Sequence, residues 1–562
     1  MEFYPPLNVD KIFDRSIEIN DSMVSKFGFL QPKLLSKSKS RDSVESKSFK
    51  SDLYLNRSKS QLHNSSIKVL RKLGLNESLF HGLNETNRSY IYRTVIITSE
   101  INLFENLEVV YKSINEWKSI HPLLKCKVIS NINNEGEKYF AYSTDNKTNN
   151  NGNIHFYHYA SNHSKSCDDV WKLLVERETT LPLSIQNGLL WRLTFFQVKI
   201  TSNGNSKLFF YAVILTFDHS IMDGRSSYLS LLQLFSLIEN NYFQIENNIN
   251  EKAILPPKEE IFKTSKDIIE NQPKFYIKAP DFLKLEKNDE SSFRKLKNLT
   301  QEEEENGMIY TNENKPLISI KELINISKKN NSKFRTLIIK KLDFDKILLK
   351  CKENQVKLTT FINMCLVMAI RLIYEKKDYH LNYMNREEKI CFTTNISLRE
   401  FSDFKNFNLD TKNSIGCYIG LAFESFEKNL NYGKRNWVEH FWKICNEESL
   451  DFHKKLENRE FIDSIRLPSR NKETDEFFYH FGNSNLGILE SSISNKKMIR
   501  IKQTFATSRY SKENFLCWFS NLIATVDGHL CWTISYNTCF IKQDIINLLI
   551  ENLTNITKEL IK

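Results

Sequence analysis

The chain has 562 residues, of which 40% are hydrophobic and 26% charged, and a formal net charge of +11 at pH 7. Because domains usually hold roughly 50–250 residues, this length predicts two or three folded lobes. Much of the positive charge is local, since residues 33–60 carry eight Lys/Arg and three Asp/Glu. The remainder is only mildly basic, which disfavours nucleic-acid binding, because that activity needs a basic face on the folded domain.

Cysteine usage and segment composition indicate the compartment. The ten cysteines lie scattered between Cys126 and Cys539 and form no C-x-x-C pair, so we expect reduced, mostly buried thiols. We identify no basic-then-apolar signal peptide in the first residues, MEFYPPLNVDK, and no apolar run of the roughly 18–20 residues that a membrane span needs. The sequence therefore predicts a cytoplasmic monomer without a transmembrane segment, and leaves peripheral lipid contact open.

The chain begins with a basic tail, residues 1–65, that we expect to be disordered. Its segment SKSKSRDSVESKSFKS, residues 36–51, is rich in Ser and Lys and shows no apolar period. Phosphorylation or contact with an anion would suit this composition. A solvated tail without a function explains it equally well.

An N-terminal α/β lobe is predicted over residues 66–244. Apolar side chains recur at helical spacing in residues 104–120, whereas the run LFFYAVILT, residues 208–216, is typical of a buried strand. A helix is expected to follow that strand over residues 226–238. Further strands are predicted over residues 91–101, 121–130 and 190–200.

A charged connection, residues 245–333, separates this lobe from a second one. It contains PPKEE, KNDESS and QEEEENG with only short apolar pieces between them, and structureless stretches of this length are uncommon within a domain. The C-terminal α/β lobe, residues 334–562, contains a helix that is apolar nearly all round, residues 361–377, with a predicted cap at Thr359 or Thr360. A cleft between two lobes is a favoured place for a ligand. Strands are predicted over residues 334–342, 389–396, 415–426, 486–492 and 529–538, and VDG before the last of them indicates a hairpin.

The segment FDHSIMDGRSS, residues 217–227, follows the buried strand and carries the pattern H-x-x-x-D-G. His219 lies on a strand-to-helix turn, where a side chain can reach a cleft while the scaffold stays rigid. An unperturbed histidine pKa of about 6.5 lets the imidazole accept a proton near neutral pH, which suits a general base. The sequence contains no G-x-S-x-G elbow, so direct attack by an acceptor is simpler than a serine nucleophile. The pattern by itself also fits a purely structural turn.

The pattern resembles the active-site signature of the chloramphenicol acetyltransferase superfamily, which includes condensation domains, wax ester synthases, BAHD acyltransferases and alcohol acetyltransferases. Other segments resemble that superfamily in the same order along the chain, from about Ile67 to the carboxyl end. SNLG is similar to a motif of alcohol acetyltransferases, which together with standalone condensation-like proteins form the nearest subgroup. The segments are RKLGLNESLF (71–80), HPLLKCKV (121–128), LWRLTFF (190–196), VKLTTFINMCLVMAI (356–370), NISLRE (395–400) and SNLG (484–487).

The resemblance implies an α/β fold of two chloramphenicol acetyltransferase-like lobes, each a mixed sheet flanked by helices, with an active-site tunnel at their interface. It implies transfer of an acyl group from a thioester, acyl-CoA or a carrier-protein arm, to an alcohol or amine. The thioester would be a co-substrate, and neither a bound cofactor nor an acyl-enzyme is implied. His219 would be the general base. Asp223 would organise the loop and pair with Arg399 of the other lobe, and Gly224 would keep the thioester channel open.

The resemblance also implies a source for the oxyanion's hydrogen bond, namely Ser484 or Asn485. Two positions depart from the superfamily. Asp218 stands where many members have a second histidine, which weakens the tie to condensation domains and wax ester synthases. Lys125 stands where condensation domains often have an arginine, which favours Arg399 as the partner of the loop aspartate.

Two other functions stay open at this point. One is a condensation-type domain that acts on carrier-protein-bound substrates in trans. The other is a catalytically inactive binding protein of the same fold. The intact H-x-x-x-D-G favours an acyl-CoA-dependent O-acyltransferase, with N-acyl transfer as an option, over the binding protein. We identify no adjoining carrier or adenylation module, which disfavours the condensation-type domain.

A histidine-rich segment, HFYHYASNHSKSC (residues 155–167), suggests metal binding only on composition. At strand spacing His155 and His158 point to opposite faces, so they do not share a coordination site. We interpret the segment as a polar edge strand and expect no metal site.

Overall fold

The computed structural model describes residues 67–74, 77–78, 80–82, 90–130, 137–143, 153–160, 170–183, 189–203, 206–246, 307–375, 389–400, 415–428, 430–459, 479–509 and 517–562. The predicted basic tail, residues 1–65, and residues 247–306 of the predicted connection lie outside this part of the chain.

The described strands are β1 (Ile67–Lys72), β2 (Ile91–Ser99), β3 (Lys127–Ser130), β4 (Lys138–Ser143), β5 (Ile154–Ala160), β6 (Trp191–Asn203), β7 (Ser206–Phe217), β8 (Met308–Thr311), β9 (Pro316–Ser319), β10 (Ser332–Ile339), β11 (Ile390–Ser397), β12 (Ile419–Phe426), β13 (Tyr479–Leu489), β14 (Ile499–Ser508), β15 (Cys517–Val526) and β16 (His529–Asn537). The described α-helices are α1 (Leu107–Ile120), α2 (Val170–Glu178), α3 (Gly224–Glu246), α4 (Ile320–Lys329), α5 (Lys341–Glu353), α6 (Leu358–Glu375), α7 (Trp437–Glu457) and α8 (Gln543–Leu560).

The N-terminal lobe is built on a seven-stranded mixed sheet with the order β14-β2-β7-β6-β5-β8-β9. Strand β7 lies between β2 and β6, and its central residues are fully buried. Helices α1 and α3 cover one face, whereas α2 and α4 contribute to a second core on the other face. Because both faces of β7 are covered, its sequence is continuously apolar rather than alternating. A smaller sheet, β1-β4-β3, packs beside this lobe.

The C-terminal lobe is built on a six-stranded mixed sheet with the order β10-β16-β15-β13-β11-β12. Its core joins the sheet to α6, α7 and α8. Among the described helices, α6 alone is long and apolar enough to cross a membrane, and 67% of it is buried inside this lobe. It begins at Leu358, so Thr359 and Thr360 lie in its first turn and do not cap it.

Strand β14 joins the two lobes. It belongs by sequence to the C-terminal lobe, yet it pairs antiparallel with β2, from Ile499 opposite Ser99 to Ser508 opposite Ile91. The N-terminal sheet is therefore completed by a strand that follows most of the C-terminal lobe. The lobes are consequently not separable at a single point of the sequence.

The predicted connection is shorter than the sequence indicated. Residues 307–333 include β8 and β9, which extend the N-terminal sheet, and α4, which packs on α2. Buried Lys333 lies 3.0 Å from the carboxylate of Glu176, which fixes this segment to the lobe. The short apolar pieces of the segment include Ile309, Ile320 and Leu323, which are fully buried in the core of the lobe.

Candidate active site

Asp223 ends the loop between β7 and α3 and caps the helix. Its Oδ1 accepts a hydrogen bond from the N–H of Ser226 at 2.7 Å, as expected for an aspartate at an N-cap. Its Oδ2 accepts a second bond, at 2.9 Å, from the N–H of Tyr418 in the other lobe. The backbone N–H of Asp223 in turn donates to the carbonyl of Gly416 at 2.9 Å. One residue thus binds the start of α3 and the segment before β12 together.

Arg399 completes this contact from the end of β11. Its Nη2 lies 3.1 Å from Oδ2 and 3.3 Å from Oδ1 of Asp223, and the guanidinium stacks on the ring of Tyr418 at 4.2 Å. Both charged side chains are buried. Burial raises the pKa of Asp223, but the charge of Arg399 and the hydrogen bonds outweigh it, so the pKa lies below its ordinary value. The structure therefore places the predicted partners in direct contact.

His219 lies on the turn that precedes Asp223. Its ring stacks on Phe80 with centroids 4.2 Å apart and planes 16° apart, and Phe217 meets it edge-on at 6.3 Å. The Nδ1 atom is inaccessible to solvent. Burial lowers the pKa of His219, although nearby backbone groups and the carboxylates of Asp223 and Asp218 oppose the shift. The imidazole is therefore neutral at neutral pH and able to accept a proton.

Asp218, at the position of the missing second histidine, is fully buried and contacts a different histidine. Nδ1 of His81 lies 2.9 Å from Oδ2 of Asp218, and the N–H of Ser220 donates to Oδ1 at 2.8 Å. Burial raises the pKa of Asp218, but these hydrogen bonds and the His81 interaction outweigh it and leave the pKa below its ordinary value. Because an ionised carboxylate only accepts hydrogen bonds, Nδ1 of His81 carries the proton.

Gly224, the first residue of α3, lies where two other side chains converge. A Cβ at this position would lie 3.2 Å from Cδ2 of Leu486 and 3.4 Å from Nη2 of Arg93. The guanidinium of Arg93 is fully buried and donates to the carbonyl of Gly224 at 2.8 Å and to Ser227 Oγ at 3.1 Å. Burial lowers the pKa of Arg93 to about 10. A side chain on Gly224 would therefore push against β13 or against this buried cation.

Comparisons with known proteins support the fold. The sequence matches no family model and no curated protein. The structure is similar to TRI3 trichothecene 15-O-acetyltransferase from Fusarium sporotrichioides, at 14% identity and a TM-score of 0.55, over 88% of this chain and 95% of that one. The first condensation domain of the calcium-dependent antibiotic synthetase matches at 9% identity and 0.54, over 88% and 97%. The epimerization domain from the third module of tyrocidine synthetase B matches at 12% and 0.51, over 87% and 97%.

The chain has the chloramphenicol acetyltransferase-like condensation-domain fold. The mixed α/β architecture predicted from the sequence is thereby confirmed. Within this fold the H-x-x-x-D-G loop lies between the lobes, since Asp223 contacts Arg399 and Tyr418 of the C-terminal lobe.

Ser484 and Asn485 are neighbours on β13, but the condensation-domain fold orients them differently. The amide nitrogen of Asn485 donates to Thr359 Oγ1 at 3.1 Å, and its Oδ1 accepts from the N–H of Gly487 at 3.0 Å. Asn485 therefore faces α6. Because side chains alternate along a strand, Ser484 lies on the opposite face of β13 from Asn485. Of the two predicted oxyanion donors, Asn485 is thus directed at α6, and Ser484 stays the candidate.

Other positions noted in the sequence lie apart from this loop. Nζ of Lys125 donates to Ser119 Oγ at 3.1 Å, which leaves the loop aspartate to Arg399. His155 stacks on Tyr157, and His158 lies 5.7 Å from the ring of Tyr310. Within the part of the chain that the structure describes, no three His, Cys, Asp or Glu side chains are placed to hold a metal ion.

Sequence reasoning missed Phe80, His81 and Arg93, although all three contact the loop. Phe80 ends the segment RKLGLNESLF, and His81 follows it directly. Nothing in the local pattern connects Phe80 or His81 with position 218 or 219, because these contacts span 137 residues or more. An arginine within the apolar strand β2 was the one available signal, since a buried charge needs polar partners.

Proposed function

We propose that this protein transfers an acyl group from a thioester, with acyl-CoA as the donor, to an alcohol or amine acceptor. One observation carries the proposal. His219 carries a neutral imidazole on the loop whose Asp223 is held to the C-terminal lobe by its buried contact with Arg399. The likeness to an acetyltransferase and to condensation domains supports the same class of reaction through the shared fold.

The proposed step uses Nε2 of His219, because Nδ1 is closed off from solvent. Nε2 removes the proton from the acceptor's hydroxyl or amine while that oxygen or nitrogen attacks the thioester carbonyl. The tetrahedral oxyanion accepts a hydrogen bond from Ser484. Collapse of the intermediate breaks the carbon–sulfur bond, and the imidazolium returns its proton to the departing thiolate. The products are an ester or amide and a free thiol, without an acyl-enzyme.

The general base and the oxyanion donor each contribute to the rate. A positioned general base supplies a factor of about 10²–10⁴, and removal of one oxyanion donor costs about 10²–10³ in kcat. Asp223 does not touch the reacting atoms in this scheme. It is a positioning residue, because its carboxylate holds the start of α3 and the segment around Tyr418 in a fixed relation.

The test is acceptor-dependent release of free thiol from a panel of acyl-CoAs, with mass spectrometry of the products formed in a cell lipid extract. We expect His219→Ala to abolish the acceptor-dependent rate. His121→Ala is a matched control, because His121 is also a buried histidine of the N-terminal lobe and bonds to Gln233 at 2.6 Å. Equal rates in the two variants would contradict the assigned base.

The same assay, run in parallel with an acylated carrier protein as the donor, separates the alternatives. Transfer from an acyl chain on a carrier-protein arm, with no transfer from acyl-CoA, would identify a condensation-type enzyme. Saturable binding of acyl-CoA without any product would identify a binding protein with this fold. Either result would overturn acyl-CoA as the working donor.

A further inference from the structure

We infer that Phe80 and His81 form a clamp that positions His219, and that His81 acts through Asp218. The inference rests on the proposed function, in which His219 is the base. Two consecutive residues of one segment contact two consecutive residues of the H-x-x-x-D-G loop: Phe80 meets His219, and His81 meets Asp218.

The contact between His81 and Asp218 fixes the clamp to the loop. Their side chains are 2% and 0% exposed, and Nδ1 of His81 lies 2.9 Å from the carboxylate. Ser220 N–H bonds to Oδ1 of Asp218, whereas His81 bonds to Oδ2. A buried carboxylate is strongly destabilised when it loses a partner, so these two residues are held together.

The stacking of Phe80 restricts the plane of the imidazole. The χ2 torsion of a histidine has broad minima, so packing or a hydrogen bond must select the ring orientation. Nδ1 of His219 is buried, and backbone groups of His219 and Met222 interact with the ring. The ring of Phe80, 4.2 Å away and nearly parallel, packs on the face of the imidazole and thereby restricts rotation about χ2. Because His81 is the next residue, its bond to Asp218 holds Phe80 against the imidazole.

The sequence departure at Asp218 gains a physical explanation from this arrangement. Many superfamily members have two adjacent histidines here. This chain has Asp218 instead, and the carboxylate contacts His81, which lies 137 residues earlier in the sequence. The clamp predicts that positions 81 and 218 act as a unit, so that the effects of replacing both are not additive.

Kinetics test the clamp. We expect His81→Ala to lower kcat about 10²-fold with little change in KM for either substrate, because misplacement of a reacting group by about 1 Å costs that much. His81→Asn keeps an N–H donor for Asp218, so its kcat should stay near the wild-type value. Phe80→Leu should lower kcat in the same way while preserving an apolar side chain. The control His121→Ala should leave kcat unchanged. Equal kcat in His81→Ala and His121→Ala would overturn the inference.

A second measurement does not depend on activity. In protein labelled with ¹³C at the histidine Cε1, the stacked ring of Phe80 should shift the His219 signal upfield, and His219→Ala assigns that signal. We expect the upfield shift to disappear in Phe80→Leu and His81→Ala and to persist in His81→Asn. A shift retained in His81→Ala would refute the clamp even in an active enzyme. The expected pattern in a protein that transfers no acyl group would refute the proposed function and leave the clamp intact.

Discussion

Arg399 follows Asp223 by 176 residues, yet its Nη2 lies 3.1 Å from the carboxylate, and both side chains are 2% exposed. The pair joins the end of β11 to the start of α3. It thereby fixes the loop that carries His219 relative to the C-terminal lobe. The stability of the molecule and the geometry of its candidate site consequently depend on the same contact.

Replacement of Arg399 by Met should destabilise the protein by about 3–5 kcal/mol, because it leaves the carboxylate of Asp223 buried without its cation. The double variant Asp223→Asn, Arg399→Met should recover part of this loss. Urea denaturation of the two single variants and the double variant measures the coupling. Lys428→Met, which breaks a surface pair with Glu447 whose partners are 51% and 48% exposed, should cost less than about 1 kcal/mol.

The pH dependence of kcat/KM should report the ionisation of His219. Burial lowers the pKa of His219, and the neutral form is the active one, so the rate should rise with pH and reach half its maximum below about pH 6.5. Asp218→Asn removes a negative charge that favours the imidazolium, so the midpoint should move to lower pH. Phe80→Ala admits water to the ring, so the midpoint should move to higher pH. A midpoint that stays fixed in both variants would exclude His219 as the titrating group.

Gly416→Ala should lower kcat about 10–100-fold, because the loop around Asp223 would shift. A Cβ at Gly416 would lie 2.7 Å from Cε2 of Tyr418, so the tyrosine ring must move away from Arg399. At Gly82 an added Cβ meets no atom of the described residues within 4 Å, which makes Gly82→Ala the matched control. Steady-state kinetics of both variants provide the test, and equal kcat values would contradict the proposed role of the Gly416 turn.

Glu424 should make the stability of the C-terminal lobe depend on pH. Burial raises the pKa of this carboxyl to about 7, although a hydrogen bond from Thr394 at 2.5 Å opposes the shift. Its contribution to stability is complete below the unfolded-state pKa of about 4.3 and is lost as the pH rises through 7. Glu424→Gln should therefore match wild type near pH 4 and exceed its free energy of unfolding by about 3 kcal/mol at pH 8.

Urea denaturation at pH 4, 6 and 8 measures this difference. Glu427→Gln is a suitable control on the same segment, because Glu427 is 64% exposed and pairs with Lys389 at the surface. A Glu424→Gln curve parallel to that of wild type at all three pH values would show that the carboxyl does not titrate with folding.

Local sequence determined the elements on which the site is built. The continuous apolar run of β7 predicted a buried strand, and helical spacing predicted α1. The helix predicted over residues 226–238 lies within α3. The VDG hairpin between β15 and β16 also follows from local chemistry, since Asp527 and Gly528 both adopt positive φ. These features can be predicted from residues close together in the sequence, because the spacing of apolar residues depends on how many faces of the element are buried.

Tertiary structure alone decided which distant residues meet. The pairing of β14 with β2, the contact of His81 with Asp218 and the turn of Asn485 toward Thr359 have no local signal. Arg399 was assigned to Asp223 only through a family resemblance. Periodicity specifies how much of a side chain is buried but not which partner buries it, because partners separated by more than a hundred residues are selected by the packing of whole lobes.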